Sequence, residues 1–254
     1  MKPKFYDFTD FVSTTTTITS KIIQDAFHSD KLNVSKKADG SLLTASDITV
    51  EKIIRNNIKN KFPNHGCIGE ELQDISIDLE YCWIIDPIDG TFNFVKGVPF
   101  FGTLIGLLEN KFPMFGSLRL PLIENFLLTG DNQKAYLNGT ALKTTKFDGW
   151  SKSLILTTDI NRLKQSAFKK QFEKLESLNT TLRTWGDCFG YYLLCIGKAD
   201  VMIDIDLKPF DILPLIPILK GAGLEIIDLS SDKNYSSIVA CKPEVKNELA
   251  SIFS

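Results

Sequence analysis

Histidine is almost missing from this chain: His28 and His65 are the two examples in 254 residues. Neither stands near a second imidazole or a cysteine pair in sequence, which excludes a His-rich zinc site. Cysteine is sparse too. Cys67, Cys82, Cys188, Cys195 and Cys241 are odd in number, widely spaced and mostly set among apolar neighbours, the pattern of reduced core thiols and not of a disulfide framework. A cysteine-dependent phosphatase needs arginine six residues after the nucleophile, and those places hold Gln73, Ile88, Leu194, Val201 and Asn247. No Gly-x4-Gly-Lys-Ser/Thr loop occurs, so nucleoside triphosphate binding by that device is excluded. Long apolar runs are lacking: none approaches the ~18 residues of a membrane span. The start, Met1-Lys2-Pro3-Lys4-Phe5-Tyr6-Asp7, lacks the apolar segment of a signal peptide. We therefore expect a cytoplasmic protein with no membrane partner. Excess charge of either sign is also absent: the net charge is −2 and the lysines are scattered, which gives no electrostatic reason to expect nucleic acid. A small molecule is the simpler partner.

What the chain does have is an ordinary globular composition, 43% hydrophobic and 24% charged, enough for a real core. Apolar residues from Phe8 to Ala26 recur at helical spacing despite the unhelpful Thr14–Thr17 run, and a second helix starts near Thr44–Asp47 and stops at Pro63-Asn64-His65-Gly66. Short apolar runs then predict strands at Cys67–Ile68, Tyr81–Ile85, Thr103–Leu108, Met114–Leu120 and Asn125–Leu128, with a hairpin turning on Asn138-Gly139. Lys143–Ser151 is polar and turn-rich, and a boundary placed there divides the chain into an α+β half over 1–147 and an α/β half over 148–254. In the second half we expect strands at Ser153–Thr157, Thr181–Trp185 and Ala199–Ile203, helices over Phe168–Leu178, through Tyr191-Leu194-Cys195 and over Ile212–Ala222, then strands near Leu224–Ile227 and Ser237–Ala240 and a short final helix. Ligand sites of such alternating units gather at strand carboxyl ends.

Against that background, Trp83-Ile84-Ile85-Asp86-Pro87-Ile88-Asp89-Gly90-Thr91 stands out. Two carboxylates three residues apart close an apolar run, Pro87 can turn them toward one another, Gly90 lets the backbone approach an anion, and Thr91 adds a hydroxyl. A helix opening there would aim N–H groups at a phosphate bound by Gly90 and Thr91. The alternative is a plain hairpin through Asp89-Gly90. Glu70 follows the strand Cys67–Ile68 in the same way, and Asp211 precedes an apolar helix, where it is either an N-cap or a ligand. Hard divalent cations take oxygen ligands, and Glu70, Asp86, Asp89, Asp211 and the Ile88 carbonyl suit roughly two or three magnesium ions with several waters. A competing phosphatase device, Asp204-Ile205-Asp206, carries Lys208 where Thr or Val is wanted, which weakens it without removing it.

Gly69-Glu70-Glu71, Asp86-Pro87-Ile88-Asp89-Gly90-Thr91, Phe210-Asp211 ahead of Gly221-Ala222-Gly223, and Lys37–Asp47 leading into the second helix together resemble the inositol monophosphatase superfamily over nearly the whole chain. The resemblance implies a mixed α/β (α+β) fold layered α-β-α-β-α, a homodimer, lithium sensitivity, and Glu70, Asp86, Ile88, Asp89 and Asp211 as magnesium ligands. It also implies a mechanism: direct attack of metal-activated water on a phosphate monoester, with Thr91 hydrogen-bonded to Asp47 to orient the nucleophile and Glu70 assisting as base. Arg183-Thr184-Trp185-Gly186-Asp187-Cys188-Phe189-Gly190 resembles the histidinol-phosphate phosphatase branch, as do Gly97–Ile105 and Ala199–Asp204. A cationic amine and an imidazole would welcome carboxylates such as Asp187 and Asp204, so these residues and Arg183 are the candidate substrate contacts, with an N-cap as the plainer role for Asp187. Departures exist: Phe210-Asp211-Ile212-Leu213-Pro214 is bulkier than the usual pattern, and Ser117-Leu118-Arg119-Leu120-Pro121 lacks the acidic residue common before the proline. The alternatives are an inositol or sugar monophosphatase and a catalytically silent phosphate- or metal-binding regulator.

Overall fold

The structure is a computed structural model that describes residues 2–29, 32–38 and 40–254; Met1, and Asp39 of the Lys37–Asp47 motif, lie outside the described residues. Helix α1 (Phe5–Phe27) turns Phe8, Phe11, Val12 and Ile23 inward, and its threonine run is accommodated because Thr15, Thr16 and Thr19 are buried, with the Thr16 hydroxyl donating to the Val12 carbonyl at 2.6 Å. A short antiparallel pair, β1 (Val34–Lys36) and β2 (Leu42–Thr44), leads into α2 (Ala45–Lys61). Thr44 and Asp47 close a capping box at its start: the Ser46 N–H donates to the Thr44 hydroxyl at 3.2 Å and the Asp47 carboxylate accepts the Thr44 N–H at 2.8 Å.

A seven-stranded sheet follows: β3 (Gly66–Gly69), β4 (Tyr81–Asp89), β5 (Gly102–Glu109), β6 (Phe112–Arg119), β7 (Leu128–Gly130), β8 (Ala135–Leu137) and β9 (Thr140–Leu142), in that spatial order, with α3 (Thr91–Val95) between β4 and β5. Only β3 and β4 run parallel. The second half supplies β10 (Leu154–Thr157), α4 (Ile160–Gln165), α5 (Lys169–Glu176), β11 (Thr181–Arg183), α6 (Asp187–Cys195), β12 (Val201–Ile205), α7 (Pro209–Ile212), α8 (Ile216–Gly221), β13 (Glu225–Asp228), β14 (Ser237–Cys241) and α9 (Lys246–Ile252), with a five-stranded sheet in the order β11-β10-β12-β14-β13. No helix of the described residues is long and apolar enough to cross a membrane.

Packing gives five layers, as the resemblance implied. Strand alternation sends Trp83 and Ile85 to the face covered by α1 and α2, and Ile84 to the other face. The middle core joins the halves, with Leu104, Leu118 and Leu128 of the first sheet meeting Leu156, Met202 and Ile238 of the second through α6 and α8. On the far side Phe172, Leu175 and Leu249 cover Ile155, Val201 and Val239. The middle helices lie against sheet backbone: a Cβ on Gly116 would meet the Pro214 carbonyl oxygen at 1.8 Å, and one on Gly130 the Ile218 Cα at 2.5 Å.

Three expectations need correction. The helix expected over Ile212–Ala222 is broken into α7 and α8, because Pro214 and Pro217 have no N–H to continue the ladder. The strand expected at Asn125–Leu128 runs instead over Leu128–Gly130: Asn125 has φ 53° and the Leu127 N–H is taken by the Asn138 side chain. The strand at Thr181 ends at Arg183, two residues early, before the turn that starts α6. The Asn138-Gly139 hairpin forms as expected, both residues having positive φ.

Candidate metal and phosphate site

Asp86 and Asp89 end β4, and the register against β5 shifts between them. That irregularity is why they meet: residues three apart on a regular strand face opposite sides, and the extra backbone at Pro87-Ile88 re-aims one of them. The Thr103 hydroxyl fixes the bulge by donating to the Pro87 carbonyl at 2.8 Å. The chain then passes through Gly90 in the left-handed region (φ 86°) into α3, so the hairpin alternative is set aside. Glycine is required there for space as well, since a Cβ would meet the Phe100 carbonyl oxygen at 2.8 Å.

Asp211 reaches the pair from the second half. It lies in the first turn of α7 and not at its N-cap, and its carboxylate accepts the Lys208 N–H at 2.8 Å. One carboxylate oxygen from each of Asp86, Asp89 and Asp211 falls within 4.8 Å of the others, a grouping that could hold a metal ion. Burial and then the charges of Glu70, Asp89 and Asp211 push Asp86 well above the ordinary carboxylate range, and Asp86 Oδ1 is buried without a hydrogen-bond partner. Burial followed by Asp187 and Asp211 does the same to Asp89, although the Cys188 N–H donates to it. Burial brings Asp211 up to about 7. Carboxylates so crowded, with an orphaned oxygen and no other donor type, fit a hard divalent cation.

Glu70 follows β3 and lines the same cavity, of about 640 Å³, as Asp86, Ile88, Asp89 and Asp211. Its carboxylate is held at 2.7 Å by Lys37 Nζ, which also bonds Glu71 at 2.8 Å. The loop carrying it is clamped from α2. Fully buried Glu51 accepts the Glu71 N–H at 2.8 Å and Arg55 Nε at 2.7 Å, while Arg55 donates to the Leu72 and Gln73 carbonyls, both at 2.9 Å.

The expected Thr91–Asp47 bond is not formed. The Thr91 hydroxyl donates to the Ile88 carbonyl at 2.9 Å, while Asp47 Oδ2 is engaged by the Thr44 N–H and hydroxyl. The reason is local: Asp47 completes the cap of its own helix, and the Thr91 proton finds an acceptor three residues back in its own turn. Asp47 Oδ1 is buried and unpartnered, and burial lifts this carboxyl to about 6.

Of the expected substrate residues, two line the cavity. Asp187, at φ 50°, follows the N-cap Gly186, so it is not itself the cap; its N–H donates to the Thr158 hydroxyl at 2.9 Å and its carboxylate accepts Asn93 Nδ2 at 2.8 Å. Burial, then Asp204 and Asp211, bring it up to about 7. Asp204, on β12, accepts the Thr158 N–H and the Tyr191 hydroxyl, each at 3.0 Å, and burial brings it to about 6. Arg183 is a correction. It ends edge strand β11 with its side chain exposed, donates to the Leu182 carbonyl and does not line the cavity. Arg162 of α4 stands on the wall instead, near Asp159 at 4.0 Å and Asp206 at 3.9 Å. Lys37, Arg162, Asn93 and the Glu51–Arg55 clamp were missed by sequence reasoning. Lys37 opens the Lys37–Asp47 motif without having been singled out in it, and the clamp is an i,i+4 pair that reads as an ordinary solvent-facing helix bridge.

The profile of the inositol monophosphatase family matches residues 7–253. A histidinol-phosphatase of Chlorobaculum parvum is 32% identical over 203 residues, covering 80% of this chain and 78% of that protein. Inositol monophosphatase 1 of Solanum lycopersicum is 33% identical over 239 residues, covering 89% and 87%. An inositol monophosphatase of Zymomonas mobilis superposes with a TM-score of 0.83 at 25% identity, covering 99% of both chains.

Proposed function

The chain belongs to the inositol monophosphatase family of phosphoric monoester hydrolases, and on that premise we propose that it hydrolyses L-histidinol phosphate to L-histidinol and phosphate with magnesium as cofactor. Glu70, Asp86, Asp89, Asp211 and the Ile88 carbonyl are the residues that would hold the metal. When bound, magnesium would neutralise these carboxylates, polarise the phosphoryl group and make water acidic enough to attack.

The remaining roles fall to the chain's own atoms. Gly90, Thr91, Phe92 and Asn93 present the start of α3 to the cavity, where unpaired backbone N–H groups receive the phosphate oxygens. Thr91 Oγ1, with its proton committed to the Ile88 carbonyl, keeps lone pairs free to accept a bond from the attacking water and so orient it. Glu70 takes the water's proton, and its release from Lys37 Nζ is the step that frees that carboxylate.

One observation carries the substrate reading. Beyond the metal cluster, the cavity wall holds Asp159, Asp187, Asp204 and Asp206, with Arg162 as the one cationic side chain among its described lining residues. Such a field favours a leaving group that carries positive charge, as histidinol does, over neutral inositol hydroxyls. The second reading, an inositol monophosphatase, draws on the Solanum lycopersicum relative, which matches at least as much of the chain. Phosphate release from L-histidinol phosphate and from inositol-1-phosphate, measured side by side with magnesium and with EDTA, separates them. Magnesium-dependent preference for histidinol phosphate supports the first reading. Equal or reversed kcat/KM discards that substrate and keeps the chemistry, and no turnover of either ester favours the silent binder.

A further inference from the structure

A second cavity, of about 670 Å³, lies between α1 and the outer strands of the seven-stranded sheet and shares no lining residue with the metal site. At its wall sits Arg119, the last residue of β6 and only 8% exposed. Its guanidinium reaches α1, with Nε donating to the Thr16 hydroxyl at 2.9 Å and Nη2 lying 3.4 Å from the Ser13 carbonyl and the Thr17 hydroxyl. Nη1 donates to no described residue, and no carboxylate of the described residues pairs with this cation. The one acidic side chain on the cavity wall, Asp10, is engaged with Lys61 at 2.9 Å. Burial alone shifts Arg119, downward, with no opposing charge to hold it up.

Burying a charge with neutral partners only is costly, and a counter-ion supplied from outside would offset that cost. The rest of the wall suits an anion: the Ser13 and Thr14 hydroxyls and the Asn125 and Asn138 amides are donors, and Tyr6 and Tyr136 add ring surface with hydroxyl ends. A planar guanidinium with free N–H groups matches a tetrahedral oxyanion in shape as well as charge. We propose that this cavity is a second anion site, built on Arg119, that binds a phosphate group independently of the catalytic metal site.

The two sites can be distinguished with the full chain held in EDTA. Without magnesium the acidic cavity repels anions, so inorganic phosphate binding under these conditions reports on Arg119. Calorimetric titration with phosphate, against chloride at matched ionic strength, is expected to show one saturable site. Arg119→Met should weaken it at least about tenfold and Arg119→Lys less, while Asp211→Asn, in the other cavity, leaves it in place. Thr17→Glu, an exposed helical position beside the guanidinium, supplies an internal carboxylate; it should raise Tm and displace phosphate, which keeps the test decisive should Arg119→Met fold poorly. Phosphate binding no stronger than chloride, or unchanged in Arg119→Met or in folded Thr17→Glu, overturns the proposal.

Discussion

The two cavities are nearly equal in size, about 640 and 670 Å³, and opposite in charge. In one, burial pushes a set of carboxylates upward; in the other, burial pushes a lone guanidinium downward. Both hold charge that the chain does not neutralise, and each would be completed by a ligand of the opposite sign. They differ in how they are built. Asp86 and Asp89 are neighbours along one strand, so their chemistry is written in a contiguous motif. Arg119 acquires its meaning from Ser13, Thr16 and Thr17, about a hundred positions away on α1.

The largest effect should come from breaking the acidic cavity. Asp89→Asn removes one of the three converging carboxylates and is expected to lower kcat/KM by about three powers of ten or more, with circular dichroism unchanged. Arg119→Met, measured in the same magnesium assay, should stay within about twofold of wild type, because its cavity shares no wall with the site. Near wild-type turnover by Asp89→Asn would remove it from the metal site, and a collapse of turnover in a folded Arg119→Met would join the two cavities into one system.

Next in size is the clamp behind Glu70. Arg55→Met leaves Glu51 buried without its cationic partner, which costs about 3 kcal/mol and should lower Tm by several degrees. Since Glu51 also holds the Glu71 N–H, KM for magnesium should rise with it. A Tm within a degree of wild type would show the clamp to be no more than a surface pair.

This clamp also shows what a sequence can convey. Periodicity in α1 and α2, the helix start near Thr44–Asp47, the Asn138-Gly139 turn and the Asp-Pro-Ile-Asp-Gly-Thr segment are local patterns, and each appears in the structure where its residues predicted it. Glu51 and Arg55 have the spacing of a solvent-exposed bridge, and only the loop folded over them makes them interior. Lys37 reaches Glu70 and Glu71 across more than thirty residues, a contact with no periodic trace. The Thr91–Asp47 bond failed for the converse reason: nearer partners engaged both groups, the Ile88 carbonyl accepting the Thr91 proton and Thr44 donating to Asp47 Oδ2. The helix expected through Pro214 gave way because an apolar stripe does not offset two missing N–H donors.

A smaller effect is a slope with pH, on the wall between the metal cluster and solvent. Burial holds Asp204 at about 6, above its ordinary value of 3.8, although Thr158 and Tyr191 donate to it and Arg162 lies near. The folded protein therefore binds this proton more tightly than the unfolded chain. The stabilisation is complete below pH about 4 and is lost as pH rises through about 6. In EDTA, Tm of wild type relative to Asp204→Asn should fall by on the order of 5 °C between pH 5 and 8. Parallel curves for the two proteins would mean that Asp204 is ionised throughout, and that its charge is part of the field a substrate meets.

The smallest effect bears on the sign of the acidic wall itself. Arg162 is half exposed and is the one positive side chain among the described residues lining that cavity, so its removal deepens the negative field without touching the metal ligands. Screening limits an exposed charge of this kind to roughly 0.5 kcal/mol, or about twofold. If the field recognises a cationic leaving group, Arg162→Ala lowers KM for L-histidinol phosphate by about that factor and leaves KM for inositol-1-phosphate unchanged. If instead Arg162 grips the phosphate, KM rises for both esters together, and the acidic wall loses its role in selecting the leaving group. Arg183→Ala supplies the baseline: its side chain is exposed and lies off the cavity, so kcat/KM for both esters should match wild type. A loss there with one ester alone would return Arg183 to the site through a contact that a single copy of the chain does not make.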